Sequence, residues 1–186
     1  MEQGVFRKLN AVGVLAVCAV LAMAFYSQFA QDALPCPLCL LQRIGFAAVL
    51  CGLMLNVVMG PKPVHYSIMI VAALFGGAVA LRQVSLHVVP GTGSYGAPFL
   101  GLHYYTWAFV VFALVVLGSA VMAGFSSQYQ EQRYIPFREQ SGIGKLAIVL
   151  AMGFVAANAV VTFAECGPLQ CPDDPTSYWL FNLSNE

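Results

Sequence analysis

A cysteine pair with two residues between its members offers the most definite chemistry in this sequence. Cys36 and Cys39 belong to the segment Cys36-Pro37-Leu38-Cys39, which leads into a long apolar run. Pro37 lacks a backbone N–H and suits the first turn of a helix, so we expect Cys36 at or near the helix cap and Cys39 about one turn inside. Free N–H groups and the positive end of the helix dipole stabilise anions there. The pattern therefore favours a thiolate, the form that thiol–disulfide exchange requires.

Arg43 extends this site along the same predicted helix. It follows Cys39 by four residues and Cys36 by seven, a spacing that puts all three on one helix face. An ionisable side chain at the margin of hydrocarbon is costly and indicates function, although an arginine can also snorkel to the lipid head groups. A guanidinium beside a thiolate suits an electron acceptor that becomes anionic, such as a quinone carbonyl.

A second cysteine pair stands near the end of the chain. Cys166 and Cys171 are separated by Gly-Pro-Leu-Gln, and the Gly-Pro step is expected to form a turn that lets the pair close. Cys18 and Cys51 fall within apolar runs, where a thiol usually behaves as a small buried hydrophobe. We do not expect these last two to take part in the chemistry.

The composition is that of a membrane protein. Hydrophobic residues make up 60% of the chain and charged residues 9%, against about 45–50% and 25% in soluble domains. The formal net charge is zero, so the basic footprint of nucleic-acid binding is absent. We expect a lipid bilayer as the environment and no nucleic acid as a partner.

Five apolar stretches predict an all-α membrane protein. Each is near the roughly 20 residues that a helix needs to cross the hydrocarbon core, and none shows the alternation of a barrel strand. The first is longer than the roughly 7–15 residues of a signal-peptide core, so we expect a retained anchor. The predicted spans are 10–30, 44–60, 64–81, 104–130 and 146–164.

The distribution of charge predicts the orientation of these spans. Basic residues in short connections mark the cytoplasmic face, and here they are Arg7, Lys8, Lys62, Arg133, Arg138 and Lys145. The opposite face collects the acidic residues Asp32, Glu165, Asp173, Asp174 and Glu186. The N-terminus is therefore expected inside and the C-terminus outside. Both cysteine pairs then face the oxidising compartment, where disulfides persist.

Several segments resemble the DsbB family of disulfide-generating membrane proteins. The main match is Cys36-Pro37-Leu38-Cys39 followed by Leu41-Gln42-Arg43 at the head of a second transmembrane helix. Arg82, His87 and the segment 98–102 are less specific matches. The resemblance covers roughly residues 5–124 and implies a four-helix transmembrane bundle, to which this chain adds a fifth helix.

The resemblance also implies an activity and a location. It implies oxidation of a periplasmic, DsbA-like thioredoxin-fold partner, with electrons delivered to ubiquinone or menaquinone, in the inner membrane of a bacterium. Cys39 would be the thiolate that contacts the quinone, Cys36 its disulfide partner and Arg43 a residue that holds the quinone. His87 is a weaker candidate for the same pocket, and an interfacial histidine without a redox role is the alternative.

One departure from the family pattern concerns the partner-facing step. The family carries a second cysteine pair in the outer loop between the third and fourth helices, but residues 88–103 contain no cysteine. We hypothesise that Cys166–Cys171 substitutes, as a redox-active disulfide that passes electrons to Cys36–Cys39; a permanent structural disulfide is the alternative. The predicted division is a DsbB-like membrane domain at 1–130 and, at 131–186, a cytoplasmic linker, the fifth helix and the cysteine-containing tail.

The tail carries two further expectations. Glu165, Asp173 and Asp174 make it acidic, which would steer a basic partner or simply keep the tail solvated. Tyr178, Trp179 and Phe181 are expected to form an ordinary aromatic belt at the membrane surface; a patch that redocks the tail against the bilayer is the alternative.

Two other functions remain open on sequence grounds. A cysteine pair beside a quinone serves both directions of electron flow, so a reverse-direction enzyme or one resembling vitamin K epoxide reductase is an alternative. The four outward cysteines are also sufficient in number for a tetrahedral zinc site in a non-enzymatic membrane protein.

Overall fold

Five long helices account for most of the chain in the computed structural model, which describes residues 3–89, 91, 98–130, 133–168, 170–173 and 175–182. The long helices are α1 (Gln3–Ala30), α2 (Pro37–Met59), α3 (Pro63–His87), α4 (Tyr104–Ala123) and α5 (Gly142–Cys166), and a short α6 spans Trp179–Asn182. Short 3-10 helices lie at Ser126–Tyr129 and Phe137–Glu139. All five long helices have the length and hydropathy of membrane spans. The predicted all-α membrane class is confirmed.

The helix bounds differ from the predicted spans where polar residues belong to the helices. The second helix begins at Pro37, seven residues before the apolar run. The fourth ends at Ala123, short of the predicted end at position 130, because residues 124–130 are uncharged but mostly polar. Beyond Gly124 the chain turns back, because Gln128 donates to the Met122 carbonyl and the Tyr129 hydroxyl donates to the Ala123 carbonyl. These side chains donate to carbonyls at the helix end that backbone N–H groups of a longer helix would otherwise have bonded.

The order of the helices around the bundle leaves an opening beside α2. The α2 helix packs against α1 and α3, and α3 packs against α4. The α5 helix packs mainly on α1 and also touches α2. The α1 and α4 helices make little direct contact with each other, so the space between them is bounded at the back by α2.

Small residues allow α2, α3 and α4 to approach closely. The Phe46 and Phe112 rings stack with centroids 4.0 Å apart, and the Phe112 ring lies directly over the Cα of Gly76. A Cβ on Gly45 would lie 3.0 Å from the Gly76 Cα and 3.1 Å from the Phe112 ring, so this position is also tightly packed. Close packing over small residues is a principal source of helix association in membranes.

A buried polar network joins the helices at the other end of the bundle. Asn56 donates to the Asn10 side chain at 2.9 Å and its carbonyl oxygen lies 2.8 Å from the His65 ring. Asn10 donates to the Tyr66 hydroxyl, which in turn donates to Gln128 at 2.8 Å. Hydrogen bonds that satisfy polar groups inside a membrane bundle link helices that hydrophobicity alone does not hold together.

At this same end, Arg7 joins three segments of the chain through hydrogen bonds. It donates to the carbonyls of Val57 and Val58, at 2.7 and 3.2 Å, and to the carbonyl of Arg133. Segments predicted to share the cytoplasmic face therefore lie together. Which face of a membrane this end occupies stays a prediction.

Replacing Gly76 by alanine is expected to destabilise the bundle. Its Cβ would overlap the Phe112 ring, which is stacked on the Phe46 ring, and overpacking of this kind costs about 1–3 kcal/mol. Gly118 is a matched control on α4, because a Cβ there meets nothing within 4 Å. Thermal unfolding in detergent should show a lower Tm for Gly76→Ala and an unchanged or higher Tm for Gly118→Ala. Equal Tm values for the two variants would contradict the role of this contact.

Candidate active site

The cysteine pair sits at the N-terminus of α2, in the arrangement that its spacing predicts. Cys36 is the N-cap residue and Pro37 occupies the first helical position. The Cys39 backbone N–H donates to the Cys36 sulfur at 3.2 Å. One of the N–H groups left free at the helix start is thus satisfied by a sulfur atom.

The two sulfur atoms are close but differ in accessibility. Their Sγ atoms lie 2.6 Å apart without a disulfide between them, so bond formation at about 2.05 Å requires little movement. Cys36 is 4% exposed, whereas Cys39 is half-buried. The hydrogen bond to Cys39, together with burial, raises the pKa of the Cys36 thiol. In the reduced pair, Cys36 therefore keeps its proton.

Gln83 holds the pair from α3. Its side chain is fully buried, and its Nε2 donates to both sulfurs, at 3.3 Å to Cys36 and 3.4 Å to Cys39. Gln42 donates to the Gln83 carbonyl oxygen at 2.7 Å, which fixes the orientation of the amide. Sequence reasoning missed Gln83 and selected its neighbour Arg82, which is exposed. Gln83 lies beyond the predicted span 64–81, among the polar residues of segment 82–87, so the sequence held no signal that singled it out.

Arg43 is buried inside the bundle and does not reach towards head groups. It is 7% exposed and donates to Gln28 Oε1 at 2.7 Å and to the Ala24 carbonyl at 3.0 Å. Its guanidinium also lies 5.2 Å from the centre of the Phe25 ring. All three partners belong to α1, so the snorkelling alternative does not apply. Gln28 is another site residue that the sequence analysis did not select.

A cavity of about 880 Å³ opens beside Cys39 and Arg43. It lies in the space between α1 and α4, and residues after α3 and one residue of the tail complete its wall. Its volume falls within the roughly 300–1,000 Å³ of small-molecule sites. Much of the lining is apolar, including Leu21, Phe46 and Val111. The site therefore joins a redox-capable sulfur and a fixed cation to a lipophilic chamber.

His87 lines the same cavity from the end of α3. Its ring centre is 5.5 Å from that of Tyr105, so it belongs to the wall. Its role in binding stays a prediction. Of the two cysteines set aside on sequence grounds, Cys18 is buried, as expected, but Cys51 faces outward from the bundle.

The tail pair forms a disulfide at the end of α5. Cys166 is the last residue of that helix and is bonded to Cys171. Gly167 makes the turn between them with a φ of 63°, a conformation that favours glycine. A side chain at Gly167 would also strike the Trp179 ring. Cys166 is 6% exposed and Cys171 is half-buried.

The aromatic tail folds back onto the helices, and whether these side chains lie at a membrane surface stays a prediction. The Tyr178 hydroxyl accepts a hydrogen bond from Gln28 Nε2 at 3.0 Å, and Trp179 packs against Phe163 of α5. Only Phe181 is largely exposed, at 66%. Gln28 consequently joins the tail to Arg43, since its amide oxygen accepts from Arg43 and its amide nitrogen donates to Tyr178.

Glu165 does not belong to a solvated acidic tail, contrary to expectation. It lies in the last turn of α5 and is 2% exposed. Its carboxyl group interacts electrostatically with Arg43 and Cys39. Of its two expected companions, Asp173 is exposed and Asp174 lies outside the described residues. The end of α5 therefore adjoins the cysteine pair of α2, which brings the residue next to Cys166 into the site.

The two cysteine pairs do not merge into a metal-binding cluster. Within the described ranges, no group of three or more His, Cys, Asp or Glu side chains is arranged to hold a metal ion. Most of the glycine-rich loop between α3 and α4, residues 90 and 92–97, lies outside those ranges.

The N-terminal part of this chain is similar in sequence to known proteins of a single family. Residues 6–95 match the family described as disulfide bond formation protein DsbB. A disulfide bond formation protein B from Xanthomonas euvesicatoria is 34% identical over 121 residues, which cover 61% of this chain and 70% of that protein. Proteins of the same name from Aromatoleum aromaticum and Azoarcus are 34% and 36% identical over 84 residues, 42% of this chain and 51% of each relative. No solved structure matches.

The two thiols of the reduced pair are expected to react in a fixed order. Brief alkylation with iodoacetamide near neutral pH should modify Cys39 first, because the pKa of Cys36 is raised and its sulfur is buried. Cys36 labelling should increase only as the pH rises towards that raised pKa. Peptide mass spectrometry after a quenched time course measures both sites, and buried Cys18 serves as the internal unreactive thiol. Preferential labelling of Cys36 at neutral pH would contradict this order.

Proposed function

We propose that this chain, which belongs to the DsbB family of disulfide bond formation proteins, re-oxidises a periplasmic, DsbA-like thioredoxin-fold dithiol and passes the electrons to a membrane quinone. Its family and its five apolar helices make it a multi-pass membrane thiol oxidoreductase. The single observation that supports this most is the opening of the Cys36–Cys39 site into a lipophilic cavity inside the membrane-spanning part. A water-soluble acceptor would not need such a chamber.

The residues around the cavity fit a quinone of the ubiquinone or menaquinone type. The apolar wall between α1 and α4 suits a lipophilic ring, and Arg43 supplies a cationic donor close to it. A quinone bound there would accept the two electrons and two protons that a dithiol loses when its disulfide forms. Charge-assisted hydrogen bonds to a carbonyl oxygen that gains negative charge strengthen as the charge develops.

The protein's own groups prepare Cys39 for this transfer. Gln83 donates a hydrogen bond to its sulfur, and Arg43 interacts with it electrostatically. Both interactions favour a negative charge on the sulfur. Cys36, which stays protonated and lies in contact with Cys39, is placed to re-form the disulfide as electrons leave.

Burial suggests the order of steps at the tail pair. Cys171 is the more accessible sulfur of the Cys166–Cys171 disulfide, so the partner's thiolate attacks Cys171 and releases Cys166. The partner's second thiol then completes its own disulfide and frees Cys171. The tail dithiol then reduces Cys36–Cys39 by attack on Cys36. Leaving-group stability and not accessibility decides this step, because Cys39 leaves as a thiolate that Gln83 and Arg43 stabilise. Each exchange breaks one S–S bond and forms another.

The location follows from the same proposal. We propose the bacterial inner membrane, with both cysteine pairs on the periplasmic side and the Arg7 end on the cytoplasmic side. Residues 1–130 would then form the quinone-reducing part and residues 131–186 the part that supplies the tail disulfide.

Substitutions at Cys39 and Arg43 should separate chemistry from quinone binding. Cys39→Ser is expected to abolish quinone reduction by a reduced thioredoxin-fold partner, because no disulfide can form at the cavity. Arg43→His should mainly raise the KM for quinone, by about tenfold to a hundredfold, the effect of losing a hydrogen bond to a charged group. Steady-state kinetics in detergent with varied quinone concentration measure both effects.

Cys51→Ser is the matched control for Cys39→Ser, since Cys51 lies on the same helix but faces outward. It should retain wild-type turnover. Wild-type kinetics in Cys39→Ser, or an unchanged KM in Arg43→His, would remove the role assigned to that residue.

Single substitutions in the tail pair should trap the partner at one sulfur. In Cys166→Ser the free Cys171 thiolate is expected to attack the disulfide of the oxidised partner, which breaks that S–S bond and forms a mixed disulfide at Cys171 that no second tail thiol can resolve. In Cys171→Ser the buried Cys166 should form far less of this adduct. Non-reducing electrophoresis followed by peptide mapping identifies the linked cysteines.

The double variant Cys166→Ser, Cys171→Ser distinguishes a relay from a permanent structural disulfide. A relay requires that oxidation of the partner falls to background while the helices remain folded, as judged by circular dichroism. Partner oxidation at the wild-type rate would exclude the relay.

A further inference from the structure

A buried carboxyl group on the fifth helix adjoins the redox site without an assigned role. Glu165 is 2% exposed, and its Oε2 atom has no hydrogen-bond partner. It lies outside residues 6–95, the part that matches the DsbB family. An unsatisfied polar atom in a buried position costs free energy, so its retention beside a reactive sulfur calls for a physical explanation.

The immediate surroundings of Glu165 oppose a permanent negative charge. The residue lies in the last turn of α5, where the helix dipole presents its negative end and disfavours an anion. Burial removes the water that would otherwise solvate the carboxylate. The interaction that favours the charged form comes from the Arg43 guanidinium.

Arg43 cannot compensate two buried anions as well as one. Its hydrogen bonds go to the neutral groups of Gln28 and Ala24, while Glu165 and Cys39 both interact with its charge. When Cys36–Cys39 is a disulfide, its sulfurs are uncharged and the Glu165 carboxylate balances Arg43. When the pair is reduced, a thiolate at Cys39 takes over that balance, and it also repels the carboxylate.

We propose that Glu165 binds a proton when the Cys36–Cys39 disulfide is reduced and releases it when the disulfide re-forms. Reduction by a dithiol breaks the S–S bond and transfers two electrons and two protons. One proton stays on Cys36, the other goes to the Glu165 carboxylate, and Cys39 remains a thiolate beside Arg43. Re-oxidation releases both electrons to the acceptor, with the two protons from Cys36 and Glu165. The charge of the buried site is the same in both states.

The other groups at this end of the bundle are consistent with this assignment. From α2, Arg43 and Cys39 interact with Glu165. From the tail, Tyr178 accepts the hydrogen bond of Gln28, and Gln28, the polar side chain that α1 contributes there, does not titrate. Glu165 is thus a proton-handling residue that acts with Cys39 and Arg43. The inference deepens the proposed function and depends on it for the identity of the electron acceptor.

Infrared difference spectroscopy tests the proposal on the full chain in detergent. Reduction of the wild-type protein with dithiothreitol should produce the C=O stretching band of a protonated carboxylic acid, with a shift in deuterium oxide. Glu165→Gln should lose this band. Glu139→Gln is the control, because Glu139 is an exposed carboxylate with a side chain 60% accessible, and it should retain the band. No band in wild type, or the same band in Glu165→Gln, would overturn the proposal.

Proton counting gives a second readout that a structural role would not change. Near neutral pH, stoichiometric reduction of wild type by dithiothreitol should release no net proton, whereas Glu165→Gln should release one proton per Cys36–Cys39 disulfide. If Glu165→Gln does not fold, Glu165→Asp keeps the carboxyl group and should give a band at a shifted frequency; no band in that variant would count against the proposal.

The outcomes also separate this inference from the proposed function. A carboxylic-acid band in a protein that never reduces quinone would refute the proposed acceptor and leave the role of Glu165 standing. Quinone reduction without any such band would refute the role of Glu165 and leave the proposed acceptor standing.

Discussion

The positive charge of Arg43, held inside a membrane bundle, is the constraint around which this site is organised. A guanidinium cannot lose its proton at ordinary pH, so its burial has to be offset by hydrogen bonds and by negative charge. The α1 helix supplies the hydrogen bonds through Gln28 and Ala24. Cys39 and Glu165 both interact with its charge, and in the proposed cycle each supplies the negative charge in turn. One cation thereby links α1, α2 and α5 beside the cysteine pair.

The fifth helix contributes both a carboxyl group and a disulfide cysteine to this end of the bundle. It packs along α1 and ends at Cys166, so the carboxyl group that interacts with Cys39 and the tail disulfide belong to neighbouring residues of its last turn. The tail is then drawn back over the bundle by the Gly167 turn, the packing of Trp179 and the hydrogen bond from Gln28 to Tyr178. In the proposed function this region replaces the loop cysteines that residues 88–103 lack.

A polar network joins the helices at one end of the bundle, while a gap between α1 and α4 gives access to its interior. The end that carries Arg7 is joined by the Asn10, Asn56 and Tyr66 network, which fixes the helices relative to one another. The gap between α1 and α4 forms the cavity beside Cys39 and continues towards Asn10 and Tyr66 as a second, smaller pocket. In the proposed function this gap admits a lipophilic ligand from the side while the network preserves the spacing of the helices.

The sequence by itself determined the features that depend on neighbouring residues. Length and hydropathy predicted five spans, and the Pro37 spacing predicted the capped cysteine pair, because helix formation and capping are local. Only the tertiary structure decided that Arg43 points into the bundle, that Gln83 bonds both sulfurs and that Glu165 is buried. Each of these depends on a contact between different helices, and an apolar span shows too weak a periodicity to reveal which of its faces meets a neighbour.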